Sequence, residues 1–313
     1  YSQKMNYYNV GFVGGFLYNL KVEAMEKPAG YSESAVKKIT EKYQSEADKA
    51  NETLADEEVP NIVYVMSESF SDPNRLNGVE VSGDPLKDYY QVANQTYSGQ
   101  MLSQNYGGGT ANIEFEALTG FSMELLNAQM TTPYTLLVPK LEKLPSLVSL
   151  LAKQGYETTA IHPYDTSMYK RKDVYKILGF DTFLDQDTME HRDKLQNNPY
   201  ISDEAAYQEI LDRLSGGKKA QFVHLVTMQT HMPYENKYAE PTYLAKGDNS
   251  SAVQGYLQDI AYSSEALAAF LQKLDDLPKR TLVVFWGDHL PGIYSDDLKK
   301  ENSEAQLHLT EFL

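Results

Sequence analysis

Four places in the chain set residues with chemical potential directly behind an apolar run. Glu68 follows Asn61-Ile-Val-Tyr-Val-Met66, and His162 follows Glu157 to Ile161. His231 follows Ala220 to Val226 at a short remove, and Asp288-His289 follows Thr281-Leu-Val-Val-Phe-Trp286 with only Gly287 between. Carboxylate oxygens and imidazole nitrogens suit Mn²⁺ or Zn²⁺, and also Mg²⁺ where water completes the shell. A fifth stretch, Ser103-Gln-Asn-Tyr-Gly-Gly-Gly-Thr110, runs a glycine-rich turn into an amphipathic segment that Gly120 stops. This spacing predicts a short helix with Thr110 at or near its N-cap. There the hydroxyl faces unpaired N–H groups and the positive end of the helix dipole. Such a place suits an anion, and a nearby metal would make the hydroxyl nucleophilic.

Two further residues belong with these. In His162-Pro-Tyr-Asp-Thr-Ser-Met-Tyr169-Lys-Arg171-Lys-Asp173 the chain is locally basic. Arg171 can clamp a phosphate through its planar fork of donors, and Tyr169 offers a ring and a hydroxyl. His231, in Thr230-His-Met-Pro-Tyr234, can bind substrate or protonate a leaving group. His191, His224 and His308 read as structural, His224 because it lies inside an apolar strand.

The elements that must position these residues alternate between buried strands and helices. Helical spacing is read over residues 32–58, capped by Ser32 or Ser34, and over 144–154, with Leu147, Leu150 and Leu151 on one face. It recurs over 172–178, 203–214 and 251–274. Strands that are continuous apolar runs are those of a parallel sheet. The expected fold is therefore α/β, with a largely parallel central sheet and helices on both faces. In such a sheet the carboxyl ends of the strands share one edge, where ligands collect. Two parts are expected: residues 1–58 as an aromatic arm and charged linker helix, and residues 59–313 as the catalytic domain.

Composition narrows the partners. Among 313 residues, 44 acidic side chains stand against 28 basic ones, for a formal net charge of -16. Binding to a nucleic-acid backbone is disfavoured, since no cation excess exists to release counterions. With no cysteine, the chain has no disulfide, thiolate site or cysteine nucleophile. The aromatic, glycine-rich opening Tyr7 to Leu20 is too interrupted to span a bilayer. The chain opens without Met and stops at Leu313 in mid-pattern, so both ends read as processing boundaries.

Taken in order, Glu68, the glycine turn with Thr110, the His162–Arg171 segment, Thr-His231-Met-Pro-Tyr and Trp-Gly-Asp288-His289 resemble one known family. It is the lipoteichoic acid synthase and phosphoglycerol transferase family of the alkaline phosphatase and sulfatase superfamily. The resemblance covers about residues 60 to 295. It implies one Mn²⁺, with Mg²⁺ able to substitute, held by Glu68, Thr110, Asp288 and His289, with Thr110 as the nucleophile. It implies a glycerol-phosphate pocket of His162, Tyr169, Arg171 and His231. Family members often carry Trp where Tyr169 falls. The implied reaction moves glycerol phosphate from the phosphatidylglycerol head group to a teichoic acid or cell-surface glycan. The implied setting is the extracellular face of the cell membrane, with a membrane anchor outside this chain and a further C-terminal subdomain after Leu313. The same metal and nucleophile would also serve a phosphoethanolamine transferase or a hydrolase. Without turnover they would make a phosphoglycerol-binding sensor.

Overall fold

The structure, a computed structural model, describes residues 8, 11–15, 23–52, 59–247 and 250–313. Most of the aromatic opening lies outside these residues. The chain divides into two compact units, residues 1–59 with 122–131, and residues 60–121 with 132–313.

In the first unit the helix Glu33–Asn51 is capped by Ser32, whose side chain accepts a hydrogen bond from the Ala35 amide. None of its residues is buried, and Val36, Ile39 and Tyr43 are exposed. The narrow apolar stripe is thus solvated, as its sparse spacing predicts.

The second unit is built on a seven-stranded sheet. In chain order its strands are β1 (Asn61–Ser67), β3 (Gly99–Leu102), β4 (Glu157–His162), β5 (Thr182–Asp185), β6 (Gln221–Val226), β8 (Thr281–Gly287) and β9 (Leu309–Phe312). A separate two-stranded ladder pairs β2 (Val79–Val81) with β7 (Ala245–Gly247). Across the large sheet the order is β3-β9-β8-β1-β6-β4-β5. The stretch from β8 to β5 is parallel throughout, and β9 and β3 close one edge in antiparallel fashion. The α/β reading therefore holds, with an antiparallel edge added.

Register brings Met66 opposite both Trp286 and Val226, and Ile161 opposite Leu225. The carboxyl ends of β8, β1, β6 and β4 thus lie side by side, neighbours spaced by about 4.8 Å. These are the strand ends that carry Asp288–His289, Glu68, His231 and His162. Helices Asp203–Gly216 and Ser250–Leu274 bury Ile210, Tyr207, Ile260 and Phe270 against the Val63, Val65 and Val223 side of the sheet. Met66, Val226 and Trp286 pack on the other side with Ile113, from the helix Thr110–Thr119.

One helical expectation needs correction. The helix predicted over 144–154 spans Leu147–Lys153, held by a Ser146–Ser149 capping box. Its buried face is Val148 and Leu151, while Leu150 is 54% exposed. Val148 and Leu151, three residues apart, share the buried face, and Leu150 lies about 100° round the helix from Leu151.

Candidate active site

The glycine-rich turn sets the geometry around Thr110. Gly109, with φ of 86°, takes the N-cap position, and Thr110 is the first residue of the helix rather than its cap. A side chain at Gly109 would lie 1.9 Å from Asn105 Nδ2, which instead donates to the Gly109 carbonyl. Since a left-handed glycine caps the helix, the Thr110 hydroxyl is spared from capping. It donates to Asp288 Oδ2 at 2.8 Å and lies 3.5 Å from His289 Nε2.

Glu68, Asp288 and His289 are all buried, and one ligand atom from each lies within 4.8 Å of the others. His289 Nε2 is 3.3 Å from Asp288 Oδ2 and 3.9 Å from Glu68 Oε1. Its Nδ1 proton is donated to the Leu290 carbonyl at 2.8 Å, so Nε2 is the ring nitrogen that faces the carboxylates. Burial pushes Asp288 up, and the neighbouring Glu68 charge adds to this. Burial opposes protonation of His289, but Asp288 and Glu68 outweigh it and raise the imidazole. Two buried carboxylates facing one imidazole nitrogen are electrostatically short of a cation. The donor set of oxygens and one nitrogen fits a divalent ion. Thr110 Oγ1 points into the same space.

Backbone and hydroxyl contacts hold these ligands in place. Thr227 Oγ1 accepts from the Glu68 amide at 3.0 Å, and Thr230 Oγ1 donates to the Glu68 carbonyl. Ser69 donates from Oγ to Glu68 Oε1 at 2.8 Å and from its amide to Asp288 Oδ1 at 2.7 Å. Such outer contacts orient metal ligands and tune their basicity. Gly287 is equally constrained, because a Cβ there would lie 1.9 Å from the Phe70 carbonyl oxygen.

A cavity opens in front of this cluster. Its lining includes Glu68, Thr110 and His289 on one side and His162, Tyr169, Arg171 and His231 on the other. Asp288 lies beneath, fully buried. All eight residues singled out in the sequence thus meet at one place.

Each pocket residue has a defined state. His162 Nδ1 donates to the Val226 carbonyl at 3.0 Å, and Nε2 is buried with no partner among the described residues. Burial, helped by the Arg171 charge, pushes His162 down to about 3, so it is a neutral acceptor. His231 Nδ1 donates to the Met232 carbonyl at 2.8 Å and lies 3.1 Å from Tyr200 Oη. That leaves its Nε2 for the cavity it lines. Tyr169, with φ of 55°, holds a left-handed backbone, and the Arg171 guanidinium lies 5.4 Å from its ring centre. Strain of that kind collects at functional sites.

Sequence reasoning missed what lies behind Arg171. Arg171 is 1% exposed and paired with Glu114, which is fully buried. His224, read as structural, reaches the same carboxylate at 3.2 Å. A glutamate on a helix is normally exposed, so residue type alone gave no signal. Its position four residues after Thr110, on the same helix face, was the available clue.

A family model described as Sulfatase matches residues 60–313. The solved structure of Streptococcus pyogenes phosphoglycerol transferase GacH in complex with sn-glycerol-1-phosphate is similar, with a TM-score of 0.85 and 32% identity. That match covers 93% of this chain and 77% of the other. A Rhizobium meliloti protein named for cyclic beta-1,2-glucan modification is 33% identical over 296 residues, 93% of this chain and 44% of that protein. Lipoteichoic acid synthase 1 of Bacillus subtilis is 27% identical over 237 residues, 73% of this chain and 36% of that protein. The chain therefore spans less than half the length of these two curated relatives.

Proposed function

The chain belongs to the sulfatase family, and on that footing we propose that it carries the catalytic domain of a phosphoglycerol transferase. One observation supports this above the others. The Thr110 hydroxyl is aimed at Asp288 Oδ2, beside the Glu68–Asp288–His289 cluster and facing Arg171, His162 and His231 across one cavity. The likeness to GacH, whose structure holds sn-glycerol-1-phosphate, favours a glycerol-phosphate substrate over other esters.

In this reading Glu68, Asp288, His289 and Thr110 would hold Mn²⁺, or Mg²⁺ in its place, and a divalent ion there would supply Lewis-acid stabilisation of negative charge on the threonine and phosphoryl oxygens. Arg171 donates to the phosphate oxygens of phosphatidylglycerol. His162 Nε2 accepts from a glycerol hydroxyl, which its neutral state permits. Thr110 Oγ1, its proton drawn off along the hydrogen bond to Asp288 Oδ2, attacks phosphorus. The phosphorus–oxygen bond to diacylglycerol breaks, and glycerophosphoryl-threonine forms. His231 Nε2 gives a proton to the departing diacylglycerol oxygen. It then takes one from an acceptor hydroxyl, which attacks the same phosphorus; the Thr110–phosphorus bond breaks, and Thr110 Oγ1 recovers its proton from Asp288 Oδ2. The acceptor is a teichoic acid or a cell-surface glycan.

Phosphatidylglycerol is a membrane lipid, so the reaction belongs at the extracellular face of the cell membrane. No described helix is long and apolar enough to cross a membrane, and attachment is assigned to an anchor outside this chain. The domain itself is assigned to residues 59–313, with residues 1–58 as its approach. Thr110→Ala tests the reading. It should abolish diacylglycerol release from head-group-labelled phosphatidylglycerol while leaving the melting curve unchanged. Turnover retained in that variant would end the proposal.

A further inference from the structure

Behind the cavity lies a closed set of charges. Arg171 Nη2 donates to Glu114 Oε2 at 2.8 Å, and Arg171 Nε donates to Tyr175 Oη at 3.1 Å. Tyr175 Oη in turn donates to Glu114 Oε1 at 2.6 Å, and His224 Nε2 lies 3.2 Å from the same oxygen. Arg171, Glu114, Tyr175 and His224 are each at most 1% exposed. Burial works against the Glu114 charge, but Arg171 and the hydrogen bonds outweigh it, holding the carboxyl at about 2. It is therefore ionised whenever the protein is folded at ordinary pH. Among the described residues Arg171 Nη1 has no hydrogen-bond partner, and Arg171 lines the cavity.

The helix Thr110–Thr119 therefore does two things. Its first residue supplies the nucleophile, and one turn later it supplies the carboxylate that fixes the guanidinium. The spacing of hydroxyl and guanidinium is set by one rigid helical turn, about 6 Å of rise.

We propose that Glu114 is a positioning and specificity-determining residue, which aims Arg171 at the substrate phosphate and cancels its charge so that the site prefers phosphodiesters to phosphomonoesters. The proposal rests on the phosphoglycerol reading above. An uncompensated buried guanidinium would reward the second negative charge of a phosphomonoester. A guanidinium backed by a carboxylate 2.8 Å away offers directional donors with little net charge. That suits the monoanionic diester of a lipid head group, and it disfavours the dianion.

The test compares two ligands on the Mn²⁺-loaded protein at pH 8. One is sn-glycerol 1-phosphate, a dianion, and the other its methyl diester, a monoanion. Glu114→Gln keeps the shape and removes the charge. The ratio of dissociation constants should move toward the monoester by about tenfold. Equal weakening of both ligands, with the ratio unchanged, would overturn the proposal and leave Glu114 a packing residue. If Glu114→Gln does not fold, Glu114→Asp and Tyr175→Phe carry the test. Both keep the charge and should lower kcat/KM while holding the wild-type ratio, and a shifted ratio in either contradicts the account. Absence of head-group turnover by the wild type would instead reject the phosphoglycerol reading. The two failures are therefore read separately.

Discussion

Thr110 Oγ1 and Asp288 Oδ2 stand 2.8 Å apart although 178 positions separate them in the chain. Two unrelated local devices produce this contact. A left-handed glycine starts the helix one residue before Thr110, and a strand ends one residue before Asp288. Between them, β1 brings Glu68 to the same sheet edge. Thr227 and Thr230 grip its backbone from the end of β6.

That grip should be measurable in metal binding. Thr227→Val leaves the buried Glu68 amide without its acceptor, at a cost of roughly 1–3 kcal/mol. Loss of such an outer contact typically weakens metal affinity by about 10–100-fold. Titration of Mn²⁺ followed by electron paramagnetic resonance should show that weakening for Thr227→Val. An exposed control such as Thr40→Val should match the wild type.

The His231 loop has its own anchor. Lys237, 2% exposed, donates from Nζ to the carbonyls of Gln229 at 2.9 Å and His231 at 2.7 Å, and pairs with buried Asp259. Lys237→Met strands the Asp259 charge, and breaking a buried pair from one side costs about 3–5 kcal/mol. Urea unfolding should report a loss of that order. In the folded fraction KM for the lipid should rise, because His231 is no longer held.

How much of this was legible in the sequence follows from what each residue needed to announce itself. Continuous apolar runs fill β1 and β8, and β6 carries one interrupted only by His224, so their ends could be located and the residues behind them gathered onto one edge. The antiparallel edge was not legible. Gly99–Leu102 and Leu309–Phe312 are short and mixed, and Glu311 in β9 is buried against Arg75. A carboxylate in that position hides a strand from any reading of apolar pattern. Glu114 and Thr227 were missed for a related reason: their work is done through another residue. Tyr169 and Arg171 were found from residue type, but the left-handed backbone of Tyr169 leaves no mark in composition.

Stability should depend on pH through Asp203. Burial pushes its carboxyl up to about 7 from 3.8, with the Asp259 charge adding to the rise and the Ser263 hydroxyl, the bonded backbone and the Lys237 charge only partly offsetting it. A raised carboxylate is at no disadvantage below the unfolded value, where both states are protonated. Between pH 4 and 7 the unfolded chain ionises first, so folding stability falls over that window and then levels off. The loss is on the order of 4 kcal/mol. Asp203→Asn should match the wild type at pH 4 and exceed it in melting temperature at pH 8. Parallel pH profiles for the two proteins would refute the assignment.

Gly287 should tolerate no side chain. A Cβ there would sit 1.9 Å from the Phe70 carbonyl oxygen, on the strand residue that precedes Asp288. Backbone cannot yield as a flexible side chain can, so Gly287→Ala is expected to cost more than about 3 kcal/mol. Soluble yield and chemical denaturation check this directly.

The central claim is that Thr110 carries the glycerophosphoryl group between donor and acceptor. The most direct measurement is peptide mapping by mass spectrometry after the Mn²⁺-loaded protein meets phosphatidylglycerol without acceptor. A glycerol-phosphate adduct on the peptide containing Thr110, lost in Thr110→Ala and discharged when acceptor is added, is the expected result. Diacylglycerol release with the Thr110 peptide unmodified throughout would contradict it.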